Sequence, residues 1–346
     1  MKSVCVIGHF GFGKELLNGQ TIKTKIVTNE LKKQLGQNNI STIDIAGGKK
    51  RLLSLFFTVI KTLKGNKNIV MMPVENGLMF FAPVLCFLNI FFNRALHYVV
   101  VGGWLPEFLS KKRWLRNMLK LFKCIYVETN IMKVSLERLG LLNIYVMPNC
   151  KELNIFDKEE LIYHETEPFP LCIFSRVMKE KGIEDAIEAV KRVNTNYGRK
   201  VFLLDIYGEI DENYKEIFSK LEREFPPYIK YKGYVNYGES SNVLKKYYGL
   251  LFPTYYEGEG FAGTLIDALA AGIPVVASNW KYNSEIVIEG KTGYLHEFCN
   301  VDDLIKVLDK VYMDKQKWNS MKEFCTDEAK KYLPSVVITN LIKFLD

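Results

Sequence analysis

Glu259 and Asp267 stand on either side of a glycine-rich turn, in the run Glu259-Gly260-Phe261-Ala262-Gly263-Thr264-Leu265-Ile266-Asp267. The first carboxylate opens the turn, and the second falls in what reads as the next helix. That helix continues through Ala268-Leu269-Ala270-Ala271 to a Gly272-Ile273-Pro274 stop and a short apolar strand, Val275-Val276-Ala277-Ser278. A glycine turn entering a helix leaves backbone N–H groups free to meet an anion. An acid on each side can then accept hydrogen bonds from hydroxyls of the same ligand, so the chemistry is that of a sugar joined to a diphosphate. The bland alternative is a helix N-terminus whose acid merely suits the helix dipole.

A second segment has matching chemistry. Phe174-Ser175-Arg176-Val177 ends a strand and Glu180-Lys181-Gly182-Ile183 starts a helix. A guanidinium fork and an ammonium point charge at that spacing can flank one diphosphate and stabilise it as it leaves. The alternative is a solvated loop with two unrelated cations. Gly8-His9-Phe10-Gly11-Phe12-Gly13-Lys14 follows a strand and fits most of a P-loop, but Glu15 stands where Ser or Thr should bind Mg²⁺. It reads better as a glycine-rich loop before a helix that begins near Gly19, Gln20 and Thr21. These three are binding candidates, or simply the helix cap. No His/Asp/Cys cluster has metal-ligand spacing and no Asp-x-Asp occurs. The diphosphate charge is therefore expected to be met by Arg176, Lys181 and helix N-termini, with no metal and no cofactor.

The stretch from Glu259 to Ser278 resembles the family 4 retaining glycosyltransferases of the GT-B fold. Their signature is Glu, seven residues, Glu, then a small-residue helix and a Gly-x-Pro-Val strand. Here Asp267 replaces the second Glu, so any hydroxyl contact is re-aimed by about 1.5 Å, one C–C bond. Phe174 to Ile183 looks like the family's Gly-Arg-x-x-x-x-Lys-Gly segment, with Ser175 in place of glycine. Glu285-Ile286-Val287 followed by Gly290-Lys291-Thr292-Gly293 resembles its Glu-Ile-Val…Gly-x-Thr-Gly segment. The resemblance covers roughly the whole chain. It implies an α/β architecture of two Rossmann-like, doubly wound domains facing a central cleft. These are an acceptor-side domain over 1–155 and a nucleotide-sugar domain over 165–333, with a helix in 334–346 packing back on the first. It implies transfer, with retention, of a sugar from a UDP-linked donor to a lipid-linked or saccharide acceptor in capsule or other polysaccharide biosynthesis. By the same resemblance Glu259, Arg176 and Lys181 are catalytic. Donor binding falls to Asp267, Gly260, Phe261, Ala262, Gly263, Thr264, Gly208, Glu285, Gly19, Gln20 and Thr21, with Tyr234 near the base. Glu75, Asn76, Gly102, Gly103 and Trp104 lie on the acceptor side. Many relatives carry a histidine at about the position of Gly102-Gly103. Here His97 sits at the other end of that strand, so no acceptor-activating base is transferred. The same fold also hosts nucleotide-sugar epimerases, and a non-catalytic nucleotide-sugar-binding protein is a further alternative.

The rest of the chain must position these groups. Its 346 residues suit two domains, and 48% hydrophobic with 25% charged residues excludes disorder. The net charge of +8 hides an asymmetry: residues 1–150 hold 21 Lys+Arg against 7 Asp+Glu, and the remainder 26 against 32. A basic half can meet nucleic acid, anionic lipid or a phosphorylated substrate. The resemblance favours the last two and no nucleic acid. Strands are predicted at 4–7, 41–45, 68–72, 97–101, 125–128 and 144–147. After an acidic linker at 151–168 they follow at 171–175, 200–206, 229–232, 249–252, 274–278 and 293–296. Helices are predicted at 21–34, 52–63, 78–91, 111–121 and 133–139, then at 183–193, 212–224, 240–247, 264–271 and 301–312. This alternation argues parallel sheets with helices on both faces. The seven scattered cysteines read as reduced thiols of a cytosolic protein, and the N-terminus reads straight into a strand. The apolar run from Leu78 to Phe92 reads as a buried helix too short to span a bilayer. Lys111 to Lys123 mixes Trp, Leu, Met and Phe with cations, which suits either an interfacial helix on anionic lipid, as on the inner face of the plasma membrane, or an ordinary surface helix with one buried face.

Overall fold

The computed structural model describes residues 2–12, 19–45, 52–236 and 238–345. Gly13, Lys14 and Glu15 of the P-loop-like segment, and Lys49, Lys50 and Arg51, lie outside these. The chain divides into two compact units, one of residues 1–152 with 332–346 and one of residues 153–331.

The first unit is a parallel sheet of β1 (Lys2–Gly8), β2 (Ile40–Asp44), β3 (Asn66–Met71), β4 (Ala95–Val99), β5 (Cys124–Val127) and β6 (Ile144–Val146), in the order β2-β1-β3-β4-β5-β6. The second is a parallel sheet of β7 (Phe169–Phe174), β8 (Phe202–Tyr207), β9 (Ile229–Gly233), β10 (Gly249–Phe252), β11 (Val275–Ser278) and β12 (Gly293–His296), in the order β12-β11-β10-β7-β8-β9. This is the GT-B architecture expected from the sequence. The physical reason is plain in the strands. β10 and β11 are buried at every residue, as strands covered by helices on both faces must be, and apart from Ser278 at the end of β11 they read as apolar runs. In each unit the strand order reverses once beside the first strand, between β1 and β3 and between β7 and β10. Open α/β sheets leave a crevice at such a switch point, outside the carboxyl ends of the strands.

Two expectations about helices need correction. The run predicted at 111–121 is not one helix. Leu105–Ser110 and Arg113–Leu119 are separated at Lys112, which leaves helical geometry at φ −129°, ψ 70°. The apolar helix runs from Glu75 to Phe92 and only about a third of it is buried, so it is not a core helix. A helix not predicted at all, Lys315–Ala329, packs Trp318, Met321, Cys325 and Ala329 inward. Residues after Pro334 form two short helical turns, and their Val337, Ile338 and Leu341 join the core of Val4, Val27 and Leu31 in the first unit. None of the seven cysteines is in a disulfide. Burial pushes the Cys150 thiol up to about 11, and Cys299 is exposed.

Candidate functional site

The switch point of the second sheet gathers the segments that the sequence singled out. β7 ends at Phe174 and hands Ser175 and Arg176 to the crevice. β10 ends at Phe252 and hands on Pro253 to Glu259. Between them lies a cavity of about 340 Å³, lined among others by Arg176, Lys181, Tyr256, Glu259, Gly263 and Thr264. A second cavity of about 230 Å³ shares Ser175, Arg176 and Thr264 with it and extends to Gly208, Glu209 and Tyr234. Two adjoining hollows that meet at one arginine suit a ligand with an anionic middle.

Backbone constraints build this place. Gly182 ends the turn that carries Lys181, with φ +70°, and a Cβ there would lie 2.2 Å from Pro253 O. Only glycine lets the two loops touch so closely. Tyr255 N–H donates to Glu180 O at 2.8 Å, which fastens the loop after β10 to the same turn. Gly208 does the equivalent work after β8: its φ is +142° and a Cβ would lie 1.7 Å from Ser175 O. The Tyr231 hydroxyl donates to Gly208 O at 2.8 Å, and Gly208 N–H donates to Gly233 O at 3.0 Å.

Electrostatically the cavity is a paired site. Lys181 Nζ lies 2.5 Å from Glu259 Oε2, and both side chains are about nine-tenths buried. The Thr254 hydroxyl is 3.0 Å from the same oxygen and 3.3 Å from Glu180 O. Thr254 is itself fixed, because Ser278 Oγ donates to its carbonyl at 2.5 Å and Asn283 Nδ2 donates to Ser278 O at 3.1 Å. Tyr256 adds a ring face 5.0 Å from Lys181 Nζ. Arg176 is more open, with Nη1 3.5 Å from Asp211 Oδ2. The helix Gly263–Ala270 begins at the cavity wall with no side chain capping it, so its positive end faces the space between Arg176 and Lys181. A guanidinium, an ammonium and a helix N-terminus around one hollow can bind a diphosphate. A carboxylate at its edge can hold a sugar hydroxyl.

The structure brings together Arg176, Lys181, Glu259, Ala262, Gly263 and Thr264 at one cavity and places Gly208 at the next. Phe261 is buried, and Gly260 is half-buried in the turn before it. Asp267 lies in the second turn of the helix Gly263–Ala270 and is buried. Glu285 sits in the short helical turn Asn283–Glu285, half-buried. Neither Asp267 nor Glu285 is among the residues lining the two cavities. Thr254, which orients Glu259, escaped the sequence reading. Its signal was its place, directly after a buried strand and a proline and just ahead of the carboxylate.

The remaining candidates lie in the first unit, again at carboxyl ends of strands. Gly19, Gln20 and Thr21 open the helix Gly19–Leu35. Gln20 Nε2 donates to Met72 O at 3.3 Å, and Thr21 Oγ1 is 2.8 Å from His9 Nδ1. Glu75 and Asn76 are exposed at the start of the helix after β3. Gly102, at φ +85°, and Gly103 follow β4, where Trp104 Nε1 donates to Val101 O at 2.8 Å. His97 is fully buried beside the Tyr126 hydroxyl at 3.2 Å, a core position. The sequence reading also missed Lys23. Its Nζ lies 2.5 Å from Glu128 Oε1 and 3.1 Å from Val100 O, tying the first helix to the ends of β4 and β5. Among the described residues no three His, Cys, Asp or Glu side chains converge as a metal-binding group.

Two parallel doubly wound units make up the GT-B fold, with a cationic cavity at the switch point of the second. Residues 157–328 match the family model described as glycosyl transferases group 1, which with relatives named as glycosyltransferases supports a sugar-transferring enzyme. The chain is 22% identical over 309 residues to an uncharacterised 41.2 kDa protein from the cps region of Klebsiella pneumoniae, covering 84% of this chain and 82% of that one. It is 35% identical over 158 residues to the GtfA subunit of a UDP-N-acetylglucosamine–peptide N-acetylglucosaminyltransferase of Streptococcus agalactiae, but spans only 28% of that protein's length. In structure it is similar to Anabaena HepE in complex with UDP, with TM-score 0.76, 15% identity and 99% of each chain covered. It is also similar to sucrose-phosphate synthase of Thermosynechococcus elongatus, with TM-score 0.73, 15% identity and 99% and 98% covered.

Proposed function

We propose that this enzyme moves a sugar from a nucleoside-diphosphate sugar, UDP-linked, to a lipid-linked or saccharide acceptor, with retention of configuration, in the assembly of a capsule or related polysaccharide. The observation that carries the reading is the cavity in which Arg176, Lys181 and the uncapped helix at Gly263 surround one space, with Glu259 at its edge. Structures of HepE with UDP and with UDP-glucose support the donor class, and the cps-region relative supports the setting. In this reading Arg176 and Lys181 stabilise the leaving diphosphate. Glu259 holds a donor-sugar hydroxyl and supports the positive charge that builds at the anomeric carbon. The C–O bond to phosphate breaks as the acceptor oxygen attacks from the same face, and the leaving phosphate oxygen takes the acceptor's proton. Gly208 and Tyr234 border the second hollow, which receives the nucleoside end. Asp267 and Glu285 contribute to donor binding from behind the cavity wall. The setting is the cytoplasmic side of the plasma membrane.

Incubation with a panel of nucleotide sugars and a saccharide acceptor, followed by diphosphate release and the anomeric NMR signal of the product, tests donor class and retention together. Inverted product would overturn the stereochemical part. Arg176→Ala and Lys181→Ala are expected to weaken UDP binding much more than uridine binding. Each removes a charge-assisted contact of roughly 1.5–3 kcal/mol, or about 10- to 150-fold. Equal losses for both ligands by calorimetry would take these residues away from the diphosphate. Turnover is expected to persist in EDTA, because the cations named above are asked to meet the diphosphate charge. Complete loss on chelation, restored by Mg²⁺ or Mn²⁺, would contradict that assignment.

A further inference from the structure

The helix layer on one side of the first sheet has an outward face that is unusually apolar. Right-handed crossovers put the helices Leu52–Gly65, Glu75–Phe92 and Arg113–Leu119 on the same side of that sheet. They pack side by side, and Cys86 Sγ lies 3.5 Å from Met118 O where the last two meet. Leu78, Phe81, Ala82, Leu85 and Leu88 of the second helix point inward and are buried. On its outer side Phe87, Ile90 and Phe91 are 60%, 75% and 72% exposed. Their i, i+3, i+4 spacing gives them one face, and the rings of Phe87 and Phe91 meet at 6.0 Å. On the neighbouring elements Phe57 and Leu121 are about two-thirds exposed and Trp114 nearly half. Scattered exposed apolar side chains are ordinary in soluble proteins, but a group on adjoining helices marks an interaction surface.

The charges around this face are predominantly positive. Residues 52–123 contain ten Lys or Arg against Glu75 and Glu107 alone. Lys61 and Lys64 share the exposed face of their helix with Phe57, and Lys111, Arg113, Lys120 and Lys123 are exposed around Trp114 and Leu121. Glu107 is engaged by Lys111 at 3.3 Å. An apolar patch with a cationic rim complements an anionic bilayer, whose acyl boundary takes aromatic side chains and whose phosphates take ammonium and guanidinium groups. Pairing with a second copy through the same patch would set like-charged rims against each other. Spanning is a different matter. The helix Glu75–Phe92 has 18 residues and a mean hydropathy of 1.5, enough by length and composition. Yet its inner face is packed on the sheet, and the strands it joins, β3 and β4, are interior strands. Crossing the bilayer would dismantle that sheet.

We propose that this face docks the enzyme on an anionic bilayer as a peripheral protein. Phe87, Ile90, Phe91 and Trp114 enter the headgroup boundary, and Lys61, Lys64, Lys111 and Arg113 meet lipid phosphates. The docking element is thus the outer side of the helix Glu75–Phe92 with its basic neighbours, not the segment Lys111–Lys123 alone. The proposal goes beyond the glycosyl-transfer reading and does not depend on it.

The test is co-sedimentation of the full chain with vesicles of phosphatidylcholine, alone or with phosphatidylglycerol, at low and high salt. The wild-type chain is expected to bind the anionic vesicles and to loosen as salt rises. The variant Phe87→Ser/Ile90→Ser/Phe91→Ser is expected to lose at least ~10-fold in binding at every salt concentration. The variant Lys61→Gln/Lys64→Gln/Lys111→Gln/Arg113→Gln is expected to lose both affinity and salt dependence. All seven side chains are solvent-facing, so circular dichroism should report unchanged folding. Wild-type protein that ignores both vesicles, or a triple variant that binds as well as wild type, would overturn the proposal. So would light scattering that shows a wild-type dimer dissociated by the triple variant, because the face would then join two copies. Transfer to a water-soluble acceptor is a separate readout and should be nearly equal in all three proteins. Failure there in the wild type would fall on the glycosyl-transfer reading alone.

Discussion

Glu259→Gln is expected to lower turnover by ~10²–10³-fold while UDP binds as well as before or more tightly. The two halves of that result come from one geometry. Glu259 Oε2 lies 2.5 Å from Lys181 Nζ, so the carboxylate and a diphosphate would compete for the same ammonium. Removing the negative charge releases Lys181 toward the diphosphate and removes a like charge from the edge of the cavity. Catalysis suffers for the opposite reason. A group that acts mainly on charge developing in the transition state contributes on the scale of a lost oxyanion-hole donor. Because Thr254 holds the same oxygen and Gln keeps the shape, the loop should stay in place. Calorimetry with UDP beside steady-state turnover checks both halves. Turnover within twofold of the parent would remove Glu259 from the chemistry. A large loss of UDP affinity would mean the residue is structural.

Gly208→Ala is expected to destabilise the second unit by on the order of 2–4 kcal/mol and to weaken UDP binding in whatever folded protein remains. The new methyl would start 1.7 Å from Ser175 O and 2.7 Å from Ser175 C, with the backbone at φ +142°. The obstacle is main chain on both sides, so relief requires β7 and β8 to part at the point where Arg176 leaves the sheet. Gly198→Ala is the control, since Gly198 has φ +61° but nothing within 4 Å of its Cβ position. It should cost only about 1 kcal/mol of backbone strain. Urea unfolding of both variants measures the difference. Equal costs would show that the close approach at Ser175 is not what Gly208 is for.

The sequence made the interior strands of the sheets readable because buried parallel strands are mostly apolar, as β5, β7, β10 and β11 are. Gly249–Phe252 and Gly293–His296 begin and end where the sequence predicts. Helices were harder where burial and composition part company. Lys315–Ala329 is rich in Lys and Glu, and its inward positions include a fully buried lysine, Lys322, whose pKa burial lowers to about 8. The periodic apolar signal of Trp318, Met321 and Cys325 was present but diluted. The Glu75–Phe92 helix fails in the opposite sense, since an apolar run does not say which of its faces meets protein. At the cavity, the glycines and charges of the second unit were legible by type and order. The pairing of Lys181 with Glu259 was not, because 78 residues separate them and only the fold closes that distance. The buttress of Asn283, Ser278 and Thr254 behind Glu259 was hidden for the same reason.

The first unit is discontinuous in sequence: residues 1–152 supply its sheet, and residues 332–346 return to it after the whole second unit. On a ribosome this imposes an order of events. When Glu152 has been synthesised, the surface that will hold Val337, Ile338 and Leu341 is still uncovered, and residues 153–336, 184 in all, must follow before the first of them arrives. At roughly 5–20 residues per second that interval is on the order of 10–40 s. During it an apolar strip beside the first helix is open to chaperones or to another nascent chain. A stall or frameshift anywhere in the second unit would therefore leave two defective units rather than one, and a shortened clone ending near Lys331 should be recovered mainly as aggregate.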